Sequence, residues 1–286
     1  MRARVLIAGC GDVGTALGLL LVGDGHQVHA LRRNVSALPA ALAPLSADLA
    51  APETLNKLPE VDYLFYTAAA DGRDDAAYTR AYVNGVENLL AALQAAGQRV
   101  RHAFFVSSTG VYGQDAGEIV DETSPTEPMR FGGSRLLQGE RAMLDGPYPA
   151  TVVRFGGIYG PGRTRLLRLV KSGATCIADP PRYTNRVHRD DCAGVLRHLM
   201  SVDAAERIYL GVDCEPAAQC EVMEWLARRL NAPPPAREIA AGACGQGKRC
   251  SNARLLESGY EFRYPTFREG YGQIIGTLAP AELEAG

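Results

Sequence analysis

The glycine turn Gly9–Gly14, which reads Gly-Cys-Gly-Asp-Val-Gly, constrains the fold more than any other segment. It follows an apolar, β-prone run, Arg4–Ala8, and precedes an apolar run long enough for a helix. In this setting the G-x-G-x-x-G spacing is typical of dinucleotide binding. Gly9 permits the sharp turn, Gly11 lets a pyrophosphate approach the backbone, and Gly14 lets the helix pack closely on the strand. We therefore predict that a dinucleotide contacts Gly9, Cys10, Gly11, Asp12, Val13 and Gly14, with an ordinary tight turn as the alternative.

Strands and helices alternate along the chain after this turn. The pattern predicts strands at Gln27–Leu31, Ala43–Leu49, Val61–Thr67 and His102–Val106, and an alanine-rich amphipathic helix at Tyr78–Ala96. This alternation is typical of an α/β fold with a doubly wound parallel sheet. Such sheets bind ligands at the carboxyl ends of their strands. We therefore expect the residues that follow each strand to share one site.

Two arginines, Arg32 and Arg33, end the second predicted strand. About twenty residues past the glycines, a site that prefers NAD usually carries Asp or Glu for the ribose 2′-hydroxyl. Arginine at this place would instead pair with a 2′-phosphate through its fork of donors. The sequence therefore predicts NADP as the cofactor and leaves NAD open, with two solvated surface charges as the alternative interpretation.

Two later segments are predicted to complete the cofactor site. Asp48, beside Leu49, ends the third strand and is a candidate acceptor for the adenine amino group. The small residues Ala68, Ala69 and Ala70 follow the fourth strand, where they would let a cofactor lie against the backbone. Plain packing is the other interpretation of this small-residue segment.

Composition argues against several classes of function. The 286 residues carry a formal net charge of −2, so no basic surplus indicates nucleic acid as a partner. No apolar run approaches the ~20 residues of a membrane span, and the first residues show no signal-peptide pattern. We therefore expect a cytoplasmic protein with a small-molecule partner and no membrane partner.

The seven cysteines predict neither a disulfide framework nor a metal site. Their number is odd and no Cys-x-x-Cys pair occurs, so we expect reduced, mostly buried thiols and no bound metal. Cys10 lies inside the glycine turn, where a helix N-terminus can lower the pKa of a thiol. We favour the simpler interpretation that Cys10 is a small residue in a crowded turn.

Four segments together carry a resemblance to a known family. They are the glycine turn, Val106–Gly113, Val153–Arg163 and Asn185–Asp191. With them the chain resembles the extended or atypical short-chain dehydrogenase/reductase superfamily, of the NAD(P)-dependent epimerase/dehydratase type. The turn departs from the Thr-Gly-x-x-Gly-x-x-Gly of extended members, and Ala8–Gly11 fits the atypical branch better.

The resemblance implies a Rossmann domain and a smaller C-terminal α+β lobe that binds substrate. The expected Rossmann domain comprises residues 1–162 with a contribution from about 184–212, and the expected lobe comprises residues 163–183 and 213–286. The implied substrate is a sugar nucleotide or another small anionic molecule. Family members often pair through two long helices, here Tyr78–Ala96 and Phe131–Leu144, so a homodimer is one expectation.

The resemblance also assigns residues to the site. The further cofactor contacts that it implies are Ser107, Arg135, Phe155 and Gly156. The substrate contacts that it implies are Ser108, Thr109, Tyr159, Arg163 and Arg186. Arg154, Arg163 and Arg186 are expected in loops that face the cleft, which suits an anionic substrate, and surface arginines on polar loops are the alternative.

The family's catalytic residues are only partly present. The resemblance implies that Ser108 holds the substrate oxygen and that a Tyr-x-x-x-Lys pair follows it. The chain has Phe131 and Arg135 at the places of the tyrosine and the lysine. Phenylalanine cannot carry a proton, so this position is excluded from general acid–base work. Arg135 could still bind the ribose hydroxyls and keep a positive field over the nicotinamide.

Another group would then have to transfer the proton, unless water or the substrate does so. Tyr112, Tyr159 and His188 are the titratable candidates, with structural roles as the alternative for Tyr112 and His188. The expected catalytic set is Ser108, Tyr112 and Arg135. Two functions remain open: an NAD(P)-dependent oxidoreductase, epimerase or dehydratase, and a catalytically silent NADP-binding sensor or scaffold.

Overall fold

The computed structural model describes residues 2–240 and 245–278 and contains a seven-stranded central sheet. In chain order the strands are β1 Arg4–Ala8, β2 Gln27–Arg32, β3 Ala43–Ser46, β4 Tyr63–Tyr66, β5 His102–Ser108, β6 Ala116–Val120, β7 Ala150–Phe155, β8 Gly157–Tyr159, β9 Cys176–Asp179, β10 Tyr183–Thr184, β11 Arg186–His188, β12 Ile208–Gly211, β13 Ala217–Ala218, β14 Arg237–Ile239 and β15 Gly247–Cys250. The order across the central sheet is β12-β7-β5-β4-β1-β2-β3.

The helices connect these strands. They are α1 Asp12–Gly23, α2 Asp75–Thr79, α3 Gly85–Ala95, α4 Phe131–Leu144, α5 Arg165–Lys171, α6 Arg189–Met200, α7 Gln219–Arg229, α8 Ala253–Glu257 and α9 Phe267–Thr277. Short 3₁₀ turns lie at Pro52–Leu55 and Thr109–Val111, and a π-helical turn lies at Arg80–Asn84. Within the described residues no helix has the length and apolar character that crossing a membrane requires.

The central strand β1 pairs in parallel with β2 on one side and with β4 on the other. The chain therefore builds toward one edge of the sheet from β1 to β3, and then crosses back to β4. Such a reversal is the topological switch point at which α/β sheets bind ligands. Buried apolar side chains fill these strands, as expected where helices cover a sheet; Phe65 and Phe104, for example, stack across the β4–β5 pair with ring centroids 4.7 Å apart. The predicted doubly wound α/β fold is confirmed.

The helix predicted at Tyr78–Ala96 is instead divided between α2, the π-helical turn and α3. The hydroxyl of Tyr66, at the end of β4, donates a hydrogen bond to the carbonyl of Ala81 inside the π-helical turn. A side chain that inserts into the backbone hydrogen-bond ladder is a common cause of such distortions. A Cβ on Gly85 would collide with the same hydroxyl, so glycine is required where α3 begins.

The chain divides into two compact units. The first comprises the described residues up to Gly113 together with Pro125–Arg154 and Cys192–Tyr209, and the second comprises Gln114–Ser124, Phe155–Asp191 and the described residues from Leu210 onward. Residues 114–124, 155–162, 184–191 and 210–212, which were expected in the Rossmann domain, thus belong to the second unit.

Short strand pairs and helices build the second unit. The pair β10–β13 is antiparallel, whereas β11–β8, β14–β9 and β15–β6 are parallel. Its apolar core includes Leu167 of α5, Met223 and Leu226 of α7, and Phe267 and Ile274 of α9. The described residues of the expected C-terminal lobe, 163–183 and those from 213 onward, lie in this unit, and their role in substrate binding stays a prediction.

A disulfide joins Cys176 of β9 to Cys220 of α7 within this core. The expectation that the cysteines are reduced is therefore wrong for this pair. An odd number of cysteines does not exclude one bridge, and packing of α7 on β9 brings the two Cα atoms to 5.3 Å, a distance that a disulfide spans. Four other cysteines remain thiols, namely Cys10, Cys192, Cys214 and Cys250, while Cys244 lies outside the described residues.

Candidate functional site

The glycine turn lies where β1 ends and α1 begins. Gly9 has a φ of +83°, in the left-handed region that favours glycine. A Cβ on Gly9 would lie 2.5 Å from the Cβ of Ala68 and closer still to the Ala68 backbone. The amides of Gly9 and Cys10 donate to the carbonyl of Leu31 at 2.9 and 3.0 Å. The turn is therefore held between the carboxyl ends of β2 and β4.

Gly11 and Gly14 differ in what surrounds them. A Cβ on Gly14 would lie 2.7 Å from Oγ1 of Thr67, so glycine lets α1 approach the sheet. Gly11 is exposed, and a Cβ there would meet only the carbonyl oxygen of Gly9, at 3.8 Å. Its backbone is thus open to a ligand at the N-terminus of α1, where a helix presents its first amides and a partial positive charge. This cradle fits the pyrophosphate of a dinucleotide.

Cys10 is a packed residue of this turn. Its side chain is fully buried, and burial raises the pKa of the thiol against the opposing effects of Thr15 and Arg32. A raised pKa disfavours the reactive thiolate, so these contacts support the packing interpretation.

The two arginines at the end of β2 have different partners. Arg32 donates from Nη1 to the carbonyl of Cys10 at 3.3 Å, which places its guanidinium beside the glycine turn. Arg33 pairs with Asp71 at 2.9 Å, and this hydrogen bond holds the pKa of Asp71 below its usual range. Arg80 lies 3.9 Å from the other oxygen of Asp71. The guanidinium groups of Arg32, Arg33 and Arg80 therefore lie close to the end of β2 or to the segment that follows β4.

Asp48, Leu49 and Ala68–Ala70, which are also predicted cofactor contacts, follow strands at the same edge. Asp48 accepts the amide of Ala50 at 2.9 Å, and the carbonyl of Leu49 accepts from Asn88 at 2.9 Å. Ala68 and Ala70 are half-buried after β4, and Ala69 is exposed. These residues follow β3 and β4, as a cofactor that crosses the carboxyl edge of the sheet requires.

A buried ion pair lies beneath the end of β5. Ser107 donates to Oε1 of Glu140 at 2.6 Å, and Arg154 donates to the two oxygens of the same carboxylate at 3.0 and 2.6 Å. The third contact of Arg154 is the hydroxyl of Tyr112, at 2.7 Å. All four side chains are buried. The expectation that Arg154 faces the cleft is therefore wrong, because β7 directs its side chain toward Glu140.

This environment affects Arg154 and Tyr112 differently. Burial acts to lower the pKa of Arg154, yet the hydrogen bonds and charge of Glu140 raise that pKa above its ordinary value. Tyr112 accepts a hydrogen bond from this permanent cation and packs beneath it, with the guanidinium 5.0 Å from the ring centre. These contacts suit a structural tyrosine, and its catalytic assignment stays a prediction.

Ser108 ends β5 at the same edge as the glycine turn. Its Oγ accepts the amide of Gly110 at 3.1 Å and caps the short turn that begins at Thr109. Ser108 is half-buried, whereas Thr109 is buried. Of the two, Ser108 is the residue that a ligand could reach.

Phe131 and Arg135 lie on the first two turns of α4 and contact α2. Phe131 is 44% exposed, and its ring meets that of Tyr78 edge-on with centroids 5.4 Å apart. Arg135 binds both oxygens of Asp75 at 2.8 and 2.7 Å, and its third nitrogen donates to Gln138 at 3.0 Å. A ribose that binds to Arg135 would therefore have to compete with Asp75.

The other predicted site residues belong to the second unit. Tyr159 is buried and stacks on Tyr271 with ring centroids 4.4 Å apart, and His188 meets it edge-on at 5.3 Å. Arg186 is buried over the ring of Phe267 at 5.4 Å. In the same unit Arg163 is exposed, Phe155 is buried and Gly156 is half-buried. The substrate and cofactor assignments of these residues stay predictions.

Arg186 has a buried acidic neighbour, Asp213. The amide of Asp213 donates to the carbonyl of Arg186 at 2.7 Å, and the residue is 2% exposed. Burial raises the pKa of Asp213 to about 7, although the positive charge of Arg186 opposes this. The carboxyl group therefore titrates near neutral pH in the folded protein.

We predict that Asp213 makes the protein less stable as the pH rises from about 4 to about 7. In this window the unfolded carboxyl is ionised while the folded one keeps its proton, so the free energy of unfolding falls with rising pH and is level above the window. Asp213→Asn should abolish this decrease in the free energy of unfolding, which is on the order of 2–4 kcal/mol over the whole pH window. Urea unfolding of both proteins at several pH values measures the difference. Parallel pH profiles would contradict the raised pKa.

Several contacts of the site have no signal in the sequence. Asp75 lies 60 residues before its partner Arg135, and Asp71 lies 38 residues after Arg33. Glu140 and Asp213 belong to none of the motifs from which the site was predicted. Only the fold brings such partners together.

Comparison with known proteins agrees with this geometry. The model of the NAD dependent epimerase/dehydratase family matches residues 5–179. A provisionally assigned NAD-dependent epimerase/dehydratase of Methylobacillus flagellatus is 38% identical, with 96% of this chain and 98% of that chain covered and a TM-score of 0.81. No curated protein matches the chain.

More distant structures share the fold. The human epimerase family protein SDR39U1, solved with NADPH, is 21% identical, with 96% and 100% of the two chains covered and a TM-score of 0.79. UDP-glucose 4-epimerase of Thermus thermophilus, solved with NAD, is 20% identical, with 96% and 98% covered and a TM-score of 0.78. The family match over most of the chain, the 38% identity and the glycine turn at the switch point lead to one conclusion: this chain belongs to the NAD dependent epimerase/dehydratase family.

Proposed function

We propose that this protein is an NADP-preferring oxidoreductase of the epimerase/dehydratase type that acts on a sugar nucleotide or another small anionic substrate. The glycine turn carries the proposal, because Gly9 and Gly11 leave a cradle that a Cβ would distort or fill. Proteins of this fold have been solved with NAD and with NADPH, so the fold accommodates either nucleotide. The preference for NADP rests on the arginines at the end of β2.

Residues of the first unit along the carboxyl edge of the sheet would each bind a different part of the cofactor or the substrate. The turn and the N-terminus of α1 would hold the pyrophosphate, Arg32 would face the 2′-phosphate, and Ala68–Ala70 would lie along the nucleotide. A bound nicotinamide dinucleotide supplies a reversible two-electron carrier. Ser108 would hold the reacting oxygen of the substrate, since its hydroxyl is the accessible one at the end of β5.

Arg32→Asp tests the cofactor preference. Loss of a charge-assisted contact to the 2′-phosphate should weaken NADPH binding by about 1.5–3 kcal/mol, while NADH, which lacks that phosphate, should lose far less. Fluorescence titrations with both nucleotides measure the two affinities. Arg99→Asp, at an exposed position, makes the same change of charge and should leave both affinities unchanged. Equal losses for NADPH and NADH in Arg32→Asp would refute the assignment.

One observation favours a catalytically silent NADP-binding protein instead. Arg135 is engaged with Asp75, and the neighbouring Phe131 carries no titratable group. Incubation of the protein with NADP(H) and a panel of UDP-sugars, followed by chromatography of the sugar nucleotides, distinguishes the two functions. Turnover supports the enzyme, and tight nucleotide binding without turnover of any panel member favours the silent protein.

A further inference from the structure

The two residues that replace the family's tyrosine and lysine each contact a residue of α2. Phe131 meets the ring of Tyr78 edge-on, and Arg135 binds the carboxylate of Asp75 through two hydrogen bonds. Phe131 and Arg135 are one turn apart on α4, and Asp75 and Tyr78 are three residues apart on α2, so each pair lies on one helix face. The phenol hydroxyl that position 131 lacks is thus present on Tyr78, across this contact.

Tyr78 lies directly against the first turn of α4. A Cβ on Gly132 would lie 2.9 Å from Cε1 of Tyr78, so the glycine leaves room for the phenol ring. A Cβ on the next residue, Gly133, would lie 2.6 Å from the carbonyl oxygen of Gly110. Gly110 also donates its amide to the Oγ of Ser108. Tyr78 and the Ser108 loop therefore pack on adjacent residues of the same helical turn.

Tyr78 differs from the neighbouring tyrosines in that its hydroxyl is available for proton transfer. The hydroxyl of Tyr66 donates to the carbonyl of Ala81, and that of Tyr112 accepts from Arg154. Burial raises the pKa of Tyr82. Tyr78 is half-buried, and its hydroxyl makes no hydrogen bond to a residue in the described part of the chain.

We propose that Tyr78 supplies the phenol that position 131 lacks and exchanges a proton with the substrate oxygen held by Ser108. This proposal rests on the proposed function. In the forward direction the phenol O–H bond breaks and an O–H bond forms on the substrate oxygen, and the phenolate then takes a proton from water. Arg135 and Asp75 are positioning residues, because their ion pair fixes α2 against α4.

Nitration tests the location of Tyr78 without relying on activity. Tetranitromethane nitrates accessible phenols, and peptide mass mapping identifies the nitrated residue. We expect saturating NADPH to slow the nitration of Tyr78 but not of Tyr63, which is also half-buried but lies at the amino end of β4. Binding of NADPH with no protection of Tyr78 would overturn the proposal. No binding of NADPH at all would instead overturn the proposed function on which it rests.

Turnover of the UDP-sugar panel tests the chemistry. General acid–base catalysis contributes about 10²–10⁴-fold, so Tyr78→Phe should lower kcat by that factor while the Kd for NADPH is unchanged. Tyr63→Phe, the matched control, should keep wild-type kcat. Adding Phe131→Tyr to Tyr78→Phe should restore much of the loss, because the phenol returns to the family's position. Wild-type kcat in Tyr78→Phe would overturn the proposal, and if no panel member is turned over, the nitration result decides.

Discussion

Glu140→Ala is expected to lower the free energy of unfolding by about 3–5 kcal/mol, the usual cost of leaving one member of a buried ion pair without its partner. Glu140 is 2% exposed and Arg154 is 4% exposed, so water cannot replace the lost carboxylate. Three donors, from Ser107 and Arg154, would lose their acceptor at once. Urea unfolding followed by circular dichroism measures the loss.

Two further variants separate this effect from general charge effects. Asp145→Ala removes an acid from an exposed pair with Arg207 and should cost no more than about 1 kcal/mol. Glu140→Leu combined with Arg154→Met removes both buried charges and should recover most of the stability that Glu140→Ala loses. A loss in Glu140→Ala as small as that in Asp145→Ala would contradict the buried network.

Gly9→Ala should cost about 2–5 kcal/mol of stability, because a left-handed backbone costs roughly 1–2 kcal/mol and overpacking about 1–3 kcal/mol. The added methyl would collide with Ala68, which follows the neighbouring strand β4. Nucleotide binding should fail as well, since the turn and the segment after β4 must both move. Thermal unfolding and NADPH titration of the same preparation measure the two effects.

Gly11→Ala is the matched control for this prediction. Its Cβ would meet no atom closer than 3.8 Å and its φ is −87°, so folding should lose less than about 1 kcal/mol. The same methyl would occupy the side from which a pyrophosphate approaches, so NADPH binding should be lost while stability is kept. Equal stability losses in Gly9→Ala and Gly11→Ala would show that the turn is not packed as described.

Local pattern was sufficient to predict the scaffold of the site. The alternation of strands and helices predicted the parallel sheet, and the glycine spacing predicted which strand ends in the glycine turn. Arg32 was placed correctly at the end of β2 because a strand carries its terminal residue to a fixed edge of the sheet. These features depend on residues that are close in sequence.

Features that depend on distant partners could not be predicted in this way. Arg154 was expected in a loop that faces the cleft, yet the buried carboxylate of Glu140 on α4 determines where its side chain lies. The break in the helix at Arg80–Asn84 follows from a hydroxyl on β4, and the bridge between Cys176 and Cys220 joins residues 44 apart. Arg135 was expected to be open to ribose, and only the fold shows Asp75 beside it. In each case tertiary packing supplies a partner that no local spacing signals.

The proposed function requires that the glycine turn after β1 binds NADP. The most direct measurement is a fluorescence titration of the wild-type protein with NADPH and NADH under identical conditions. We predict saturable binding of one nucleotide per chain, with NADPH bound more tightly than NADH. The absence of saturable binding for both nucleotides would show that the glycine turn is not a dinucleotide site.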